Sequence, residues 1–262
     1  MSKELVEKKE AAPPAVMAEM ASMANVGFDG MSVQDAAIPY LMVLQSQSPQ
    51  VKKGPGKVEG AEEGDFYNSV TQRVYKGDKG IRVIPCAFRK AYVEWVPKTA
   101  GGGFVASYDD DAKLAECHKD PVTGRDMLPN GNHLVATAYH YALIVEESGA
   151  FERVVISMAS TQLKVSRRWN SQMMALQMDG PAGKFTPPPF SHSYLATTKL
   201  EQKDSNTWYG WNIGAPTIVT EPGIFAAAMK FWEDVRKGFV KAKAPDVDAE
   251  APAAPTGDSK HF

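Results

Sequence analysis

The sequence has little of what builds a secreted or membrane-embedded protein. Its 262 residues include two cysteines, Cys86 and Cys117, which excludes a disulfide framework and makes a reducing compartment the expectation. No apolar run approaches the roughly 18–20 residues of a membrane span. The first ten residues lack the apolar stretch of a secretory signal. A cytoplasmic location with no membrane partner is expected. Nucleotide and hydrolase signatures are missing as well. Gly54-Pro55-Gly56-Lys57 has neither the spacing nor the following helix of a phosphate-binding loop, and no Gly-x-Gly-x-x-Gly, Gly-x-Ser-x-Gly or His-x-x-x-His pattern occurs. The chain therefore reads as non-enzymatic, with no catalytic residue and no cofactor.

Excess charge of either sign is also missing: 29 basic and 31 acidic residues leave a net charge of −2. The average hides a partition. Residues 1–37 carry 3 basic and 6 acidic side chains, and residues 243–262 carry 2 and 4, so the body at 38–242 has a net charge of +3. A nucleic-acid partner is thus permitted by charge without being demanded by it.

What is present divides the chain in three. Residues 1–37, rich in Ala, Met, Glu and Lys, read as a flexible arm, and 243–262 as a disordered acidic Ala/Pro tail ending on Phe262. Between them the signals are mostly β. Apolar or β-branched stretches fall at 38–45, 66–75, 81–96, 133–147, 151–159, 193–202 and 207–213. Pro85 is expected at a bulge or edge, and Ser148-Gly149 at a tight hairpin. A helix over 161–178 is expected to be capped by Ser160-Thr161, and a second helix to run from Pro222 to about Val240. Five strands with a helix between the third and fourth, then a closing C-terminal helix, is the layout of an OB-fold-like five-stranded barrel.

Two constellations are candidates for chemistry. Cys86, Cys117, His118 and His133 are zinc-type ligands, but without the Cys-x-x-Cys pair of a structural site; no metal is expected. Asp109-Asp110-Asp111 would suit a divalent cation, and a metal-dependent nuclease, only if further carboxylates converge on it.

Aromatic residues interleaved with basic ones are the more informative feature. In 88–95, alternation places Phe88, Lys90, Tyr92 and Glu94 on one face and Arg89, Ala91, Val93 and Trp95 on the other. Tyr139 and Tyr141 share a face, and Trp208-Tyr209-Gly210-Trp211 places indoles on both sides of a glycine. Lys164, Arg167 and Arg168 recur at i, i+3 and i+4 with no acid until Asp179, forming one positive patch that Lys199 extends. Aromatics beside cations suit stacked bases and paired phosphates. The candidate DNA-binding set is Arg89, Lys90, Tyr92, Trp95, Tyr139, Tyr141, Lys164, Arg167, Arg168, Lys199, Trp208 and Trp211.

The runs 38–45 (IPYLMVLQ), 64–71 (GDFYNSVT), 83–86 (VIPC), 92–97 (YVEWVP), 160–164 (STQLK) and 208–211 (WYGW) resemble tailed-bacteriophage single-stranded DNA-binding proteins of the replication region. The resemblance implies an OB-type barrel, a place in the host bacterium's cytoplasm, and sequence-independent binding of single-stranded DNA during replication or recombination. It also implies partner replication proteins recruited through an acidic tail closing on an aromatic, here Phe262, and is compatible with a homo-oligomer. The alternative is a phage factor that binds and redirects a host protein through its Met-rich arm.

Overall fold

The computed structural model describes residues 13–24, 26–31, 36–203 and 205–240. The expected tail at 243–262 lies outside them, as do parts of the arm. The chain falls into two units that meet at residues 36 and 37. In the first, α1 (Pro14–Ser22) starts with proline in its first turn and buries no residue.

The second unit runs β1 (Tyr40–Val43), β2 (Phe66–Asn68), β3 (Val74–Tyr75), β4 (Ile81–Trp95), β5 (Phe104–Tyr108), β6 (His118–Lys119) and β7 (Asp126–Met127). It continues through β8 (His133–Val145), β9 (Phe151–Ala159), α2 (Leu163–Ala175), the small hairpin of β10 (Met178–Gly180) and β11 (Gly183–Phe185), β12 (His192–Lys203), β13 (Asn206–Ile218) and α3 (Pro222–Arg236). The protein is mainly β, and no helix among the described residues is long and apolar enough to cross a membrane.

Eight strands follow one path, β13-β12-β4-β8-β9-β1-β2-β3, with β5 and β7 attached to β4 and β8. The five long strands are β4, β8, β9, β12 and β13, and α2 follows the third of them. The fourth, β12, returns to pair with the first, β4, which is Greek-key order. The expected five-stranded barrel is nevertheless too small. Strands β1–β3 extend the sheet beyond β9, joined through a parallel pairing of Tyr40 with Val155 and Leu41 with Ile156, and the result is a curled half-barrel. Residue patterns locate a strand, but its lateral neighbour is set by contacts far away in sequence.

Local expectations fare differently from one another. The register of β4 on β8 shifts between Pro85 and Ala87, so the proline that cannot donate to the ladder sits at a bulge. The Ser148-Gly149 turn closes with Glu146 N donating to Ala150 O and Gly149 at φ 83°. The helix start is corrected: Ser160 has φ 49°, 160–162 form a 3₁₀ turn, and α2 begins at Leu163 without a side-chain cap.

Alternate residues face a core built from Phe66, Val83, Ile156, Met158, Tyr194 and Trp211, filled by Trp169 of α2. One polar pair lies within it. His140 and Ser166 share a 2.8 Å hydrogen bond between Nε2 and Oγ, and the imidazole stacks on Trp169 at 4.5 Å. The opposite face is covered in part by α3, where Phe231 meets Tyr141 edge-on and Asp234 accepts from Arg153 and Lys230. Elsewhere the segment after β1 folds over it, packing Leu44 and Ala61 on Tyr67.

The curl brings the free edge of β13 back to the β1–β2 end. Among the described residues no ladder pairs β13 with β1 or β2; side-chain amides take its place, with one backbone bond nearby from Thr198 N to Gly77 O at 2.9 Å. Gln45 Nε2 donates to Tyr209 O and Gln45 Oε1 accepts from Tyr209 N, both at 2.9 Å, so one glutamine imitates a strand residue. Gln162 Oε1 accepts from Trp211 N at 2.9 Å, and Thr198 Oγ1 donates to Gly64 O at 2.6 Å. Glycines permit the approach: a Cβ on Gly210 would lie 2.7 Å from Gln162 Nε2, and one on Gly77 would lie 1.8 Å from Gly64 O.

Replacing Gln162 with alanine strands the Trp211 N–H. The expected cost is about 1–3 kcal/mol in urea titration, with faster exchange of that amide. Burial also lowers the His140 pKa to about 3. The unfolded chain binds a proton below about pH 6.5 that the folded chain refuses, so stability is complete above that pH and is lost as pH falls. Between pH 6.5 and 5 the melting temperature should drop by about 3–5 °C per pH unit. A folded His140→Phe variant should show a correspondingly flatter profile.

Candidate functional site

A cleft of about 530 Å³ opens on the face of the sheet turned away from Trp169. Its floor is strand surface: Tyr139 on β8 and Ser157 on β9 point outward because His140 and Met158 point into the core. Trp95, at the end of β4, forms one wall and is braced edge-on by Phe104 at 5.9 Å. Trp208 and Tyr209 form another beside the Gln45 seam. Lys98, Arg125 and Asp126 also line the cleft and leave it one positive charge in excess. Burial raises the phenol of Tyr139 to about 12 and that of Tyr40 further still. Both hydroxyls, like that of an ordinary tyrosine, are neutral at physiological pH.

Of the aromatics singled out from sequence, the cleft gathers Trp95, Tyr139, Trp208 and Trp211. Trp211 is mainly core, its ring 4.8 Å from Phe66. Tyr141 lies under α3, and Tyr92 packs with Leu128 and Leu134. The Phe88/Lys90/Tyr92 face is on the other side of the sheet from the cleft: Phe88 leans on His140, and Lys90 Nζ donates to Tyr92 Oη at 2.8 Å.

The cations are dispersed. Arg89 pairs with Asp109. Arg167 and Arg168 are exposed on α2, with Arg167 Nε donating to Leu163 O. Lys164 and Lys199 both approach Glu201, whose carboxylate also accepts from Trp208 Nε1.

Sequence reasoning missed Lys98, Arg125, Gln45 and Tyr209. Lys98 and Arg125 come from the stretch 98–130, which the sequence suggests is a flexible polar segment able to close over a bound strand. It is instead an ordered excursion tied down by one buried carboxylate. Glu94 accepts from Tyr108 Oη at 2.7 Å, Asn130 Nδ2 at 2.9 Å and Asn132 Nδ2 at 2.6 Å. These bonds, that from Asn132 foremost, hold its carboxyl below the usual range. The only sequence signal was an acid on an otherwise apolar strand end, followed by a pair of asparagines.

Other chemistries find less support in the geometry. Asp109 is paired with Arg89, and Asp110 accepts from the backbone of Ala112. Cys86 Sγ contacts Ile84 O and Cys117 Sγ contacts Lys113 O. Among the described residues no group of three or more His, Cys, Asp or Glu converges. The Ser166–His140 pair has the distance of a nucleophile and base, yet its members are 2% and 0% exposed. It anchors α2 to the sheet.

Replacing Glu94 with glutamine removes the charge that three donors share. A loss of about 1–3 kcal/mol is expected by urea unfolding, together with faster exchange across 104–132. Because the folded carboxyl is depressed, its contribution is present above about pH 4.5 and is lost as pH falls. The variant should therefore be less acid-sensitive below that point.

No curated protein and no solved structure matches the chain. One family model does, over residues 7–241. That match spans both described units and the whole sheet, and on its strength the chain belongs to the Pam3 phage gp34-like protein family, a family of bacteriophage proteins.

Proposed function

We propose that this phage protein binds single-stranded DNA without sequence preference during replication or recombination. The observation that carries the reading is the cleft, where Trp95, Tyr209 and the edge of Trp208 stand beside Lys98 and Arg125. Unpaired bases present a π-face whatever their identity, so aromatic walls take any sequence, while the cations meet phosphate oxygens. The neutral hydroxyl of Tyr139 on the floor supplies a hydrogen-bond donor. Arg89, which lies opposite Tyr139 on the cleft face of the sheet, is a further phosphate contact in this reading, whereas Lys90, Arg167 and Arg168 stand on the other side. The Greek-key order of the long strands, with a helix between the third and fourth, favours an OB-like ancestry enlarged by β1–β3.

Titration of indole fluorescence with oligo-dT tests the proposal. Quenching at about 50 mM salt is expected, with affinity falling steeply as salt rises. Trp95→Ala should weaken binding by roughly 5- to 150-fold, the value of one stacked base. Absence of binding, or equal affinity for duplex, would rule the proposal out.

A second reading rests on the first unit, where α1 exposes Val16, Met17 and Met20, a flexible apolar surface suited to a protein partner. A stoichiometric host protein recovered without DNA would favour it.

A further inference from the structure

One indole N–H and two ammonium groups surround one acid beside Trp208, a residue that lines the cleft. Glu201 on β12 lies with Oε2 at 3.1 Å from Trp208 Nε1 and 3.6 Å from Lys164 Nζ, and with Oε1 at 3.5 Å from Lys199 Nζ. The carboxylate is 9% exposed, whereas the lysines are 64% and 54% exposed. It therefore lies beneath two ammonium groups that face solvent. Lys164 comes from α2 and Lys199 from β12, so the tertiary fold, and not one helix face, makes this pair. An indole N–H and two ammonium groups around one oxyanion is also the donor set that holds a phosphodiester.

The fit of the acid is incomplete. Oε1 is buried and makes no hydrogen bond, its cation standing at 3.5 Å. A buried carboxylate oxygen without a hydrogen bond is costly. Gly210 opposite leaves room for the acid, since a Cβ there would lie 3.1 Å from the Glu201 carboxyl carbon.

We infer that Glu201 is a built-in counter-ion occupying a phosphate subsite formed by Lys164, Lys199 and the Trp208 indole, and that it sets how tightly the protein holds a phosphodiester. The inference rests on the single-strand reading above. With the acid in place, one of the two lysine charges is offset, and the pair contributes less to binding than two free ammonium groups would. Without its charge the pair gains the equivalent of one phosphate contact, and each phosphate engaged releases a counter-ion. Glu201 thereby keeps affinity moderate at a site whose aromatic walls would otherwise hold DNA strongly.

The test compares wild type, Glu201→Gln and Lys199→Gln in both backgrounds, titrated with oligo-dT over a range of NaCl. Glu201→Gln should bind on the order of tenfold tighter at ~50 mM salt, with a log–log salt slope steeper by about 0.7, the value of one single-strand phosphate contact. Lys199→Gln should cost less than about twofold in wild type, as for an exposed charge already paired. In the Glu201→Gln background it should cost roughly five- to tenfold. Should Glu201→Gln fail to fold by circular dichroism, Glu201→Asp draws the carboxylate back by one methylene and should give an intermediate gain. Binding by wild type with unchanged affinity and slope in the Glu201 variants overturns the inference and leaves the single-strand reading standing. Absence of binding by every protein overturns both.

Discussion

The fold depends on a seam that backbone alone does not close. Strands of unequal length, extended by β1–β3, curl until the free edge of β13 faces the β1–β2 end. An exposed edge strand is a site for unwanted pairing. Here two glutamine amides satisfy the edge of β13, Thr198 on β12 ties the neighbouring Gly64 loop with its hydroxyl, and glycines remove the side chains that would keep the seam open. Gln45 extends from the end of β1, and Gln162 from the turn that starts α2. Each reaches a residue of the Trp208–Trp211 motif, so the aromatic wall of the cleft and the closure of the sheet are one construction.

The interior follows from that closure. Once the sheet curls, α2 has a concave surface to fill, and Trp169 does so between His140 and Tyr194. The helix carries three basic residues and no acid, so it cannot rely on the usual alternation of charges for its exposed face. Its attachment comes from the buried Trp169 and from the Ser166–His140 bond. A neutral imidazole in that position is a local polar commitment with a global consequence, because burial makes its protonation costly to the folded state.

Much of the architecture could be read locally. The long strands, the Pro85 bulge, the Ser148-Gly149 hairpin and both helices of the second unit are written in patterns a few residues wide. The size of the sheet was not legible, because β1 joins β9 through pairings between residues far apart in the chain. Nor was the ordered excursion over 98–130. Its fastening, Glu94 to Tyr108, Asn130 and Asn132, joins polar residues that look like loop until their common acceptor is seen.

For the site, the amino-acid sequence by itself determined which side chains share a strand face and that the body holds a small positive excess. Both are local or additive properties. Tertiary structure alone decided which face carries the cleft. Phe88, Lys90 and Tyr92 have the composition of a binding strip, and Phe88 and Lys90 are exposed, but Tyr92 is buried against Leu128 and Leu134, while Trp95 and Tyr139 border the cleft on the other side. The same holds for charge. Lys164 and Lys199 look like phosphate ligands until Glu201 is found between them. A side chain's chemistry is intrinsic, but its availability is set by what packs over it and what pairs with it, and those partners come from elsewhere in the chain.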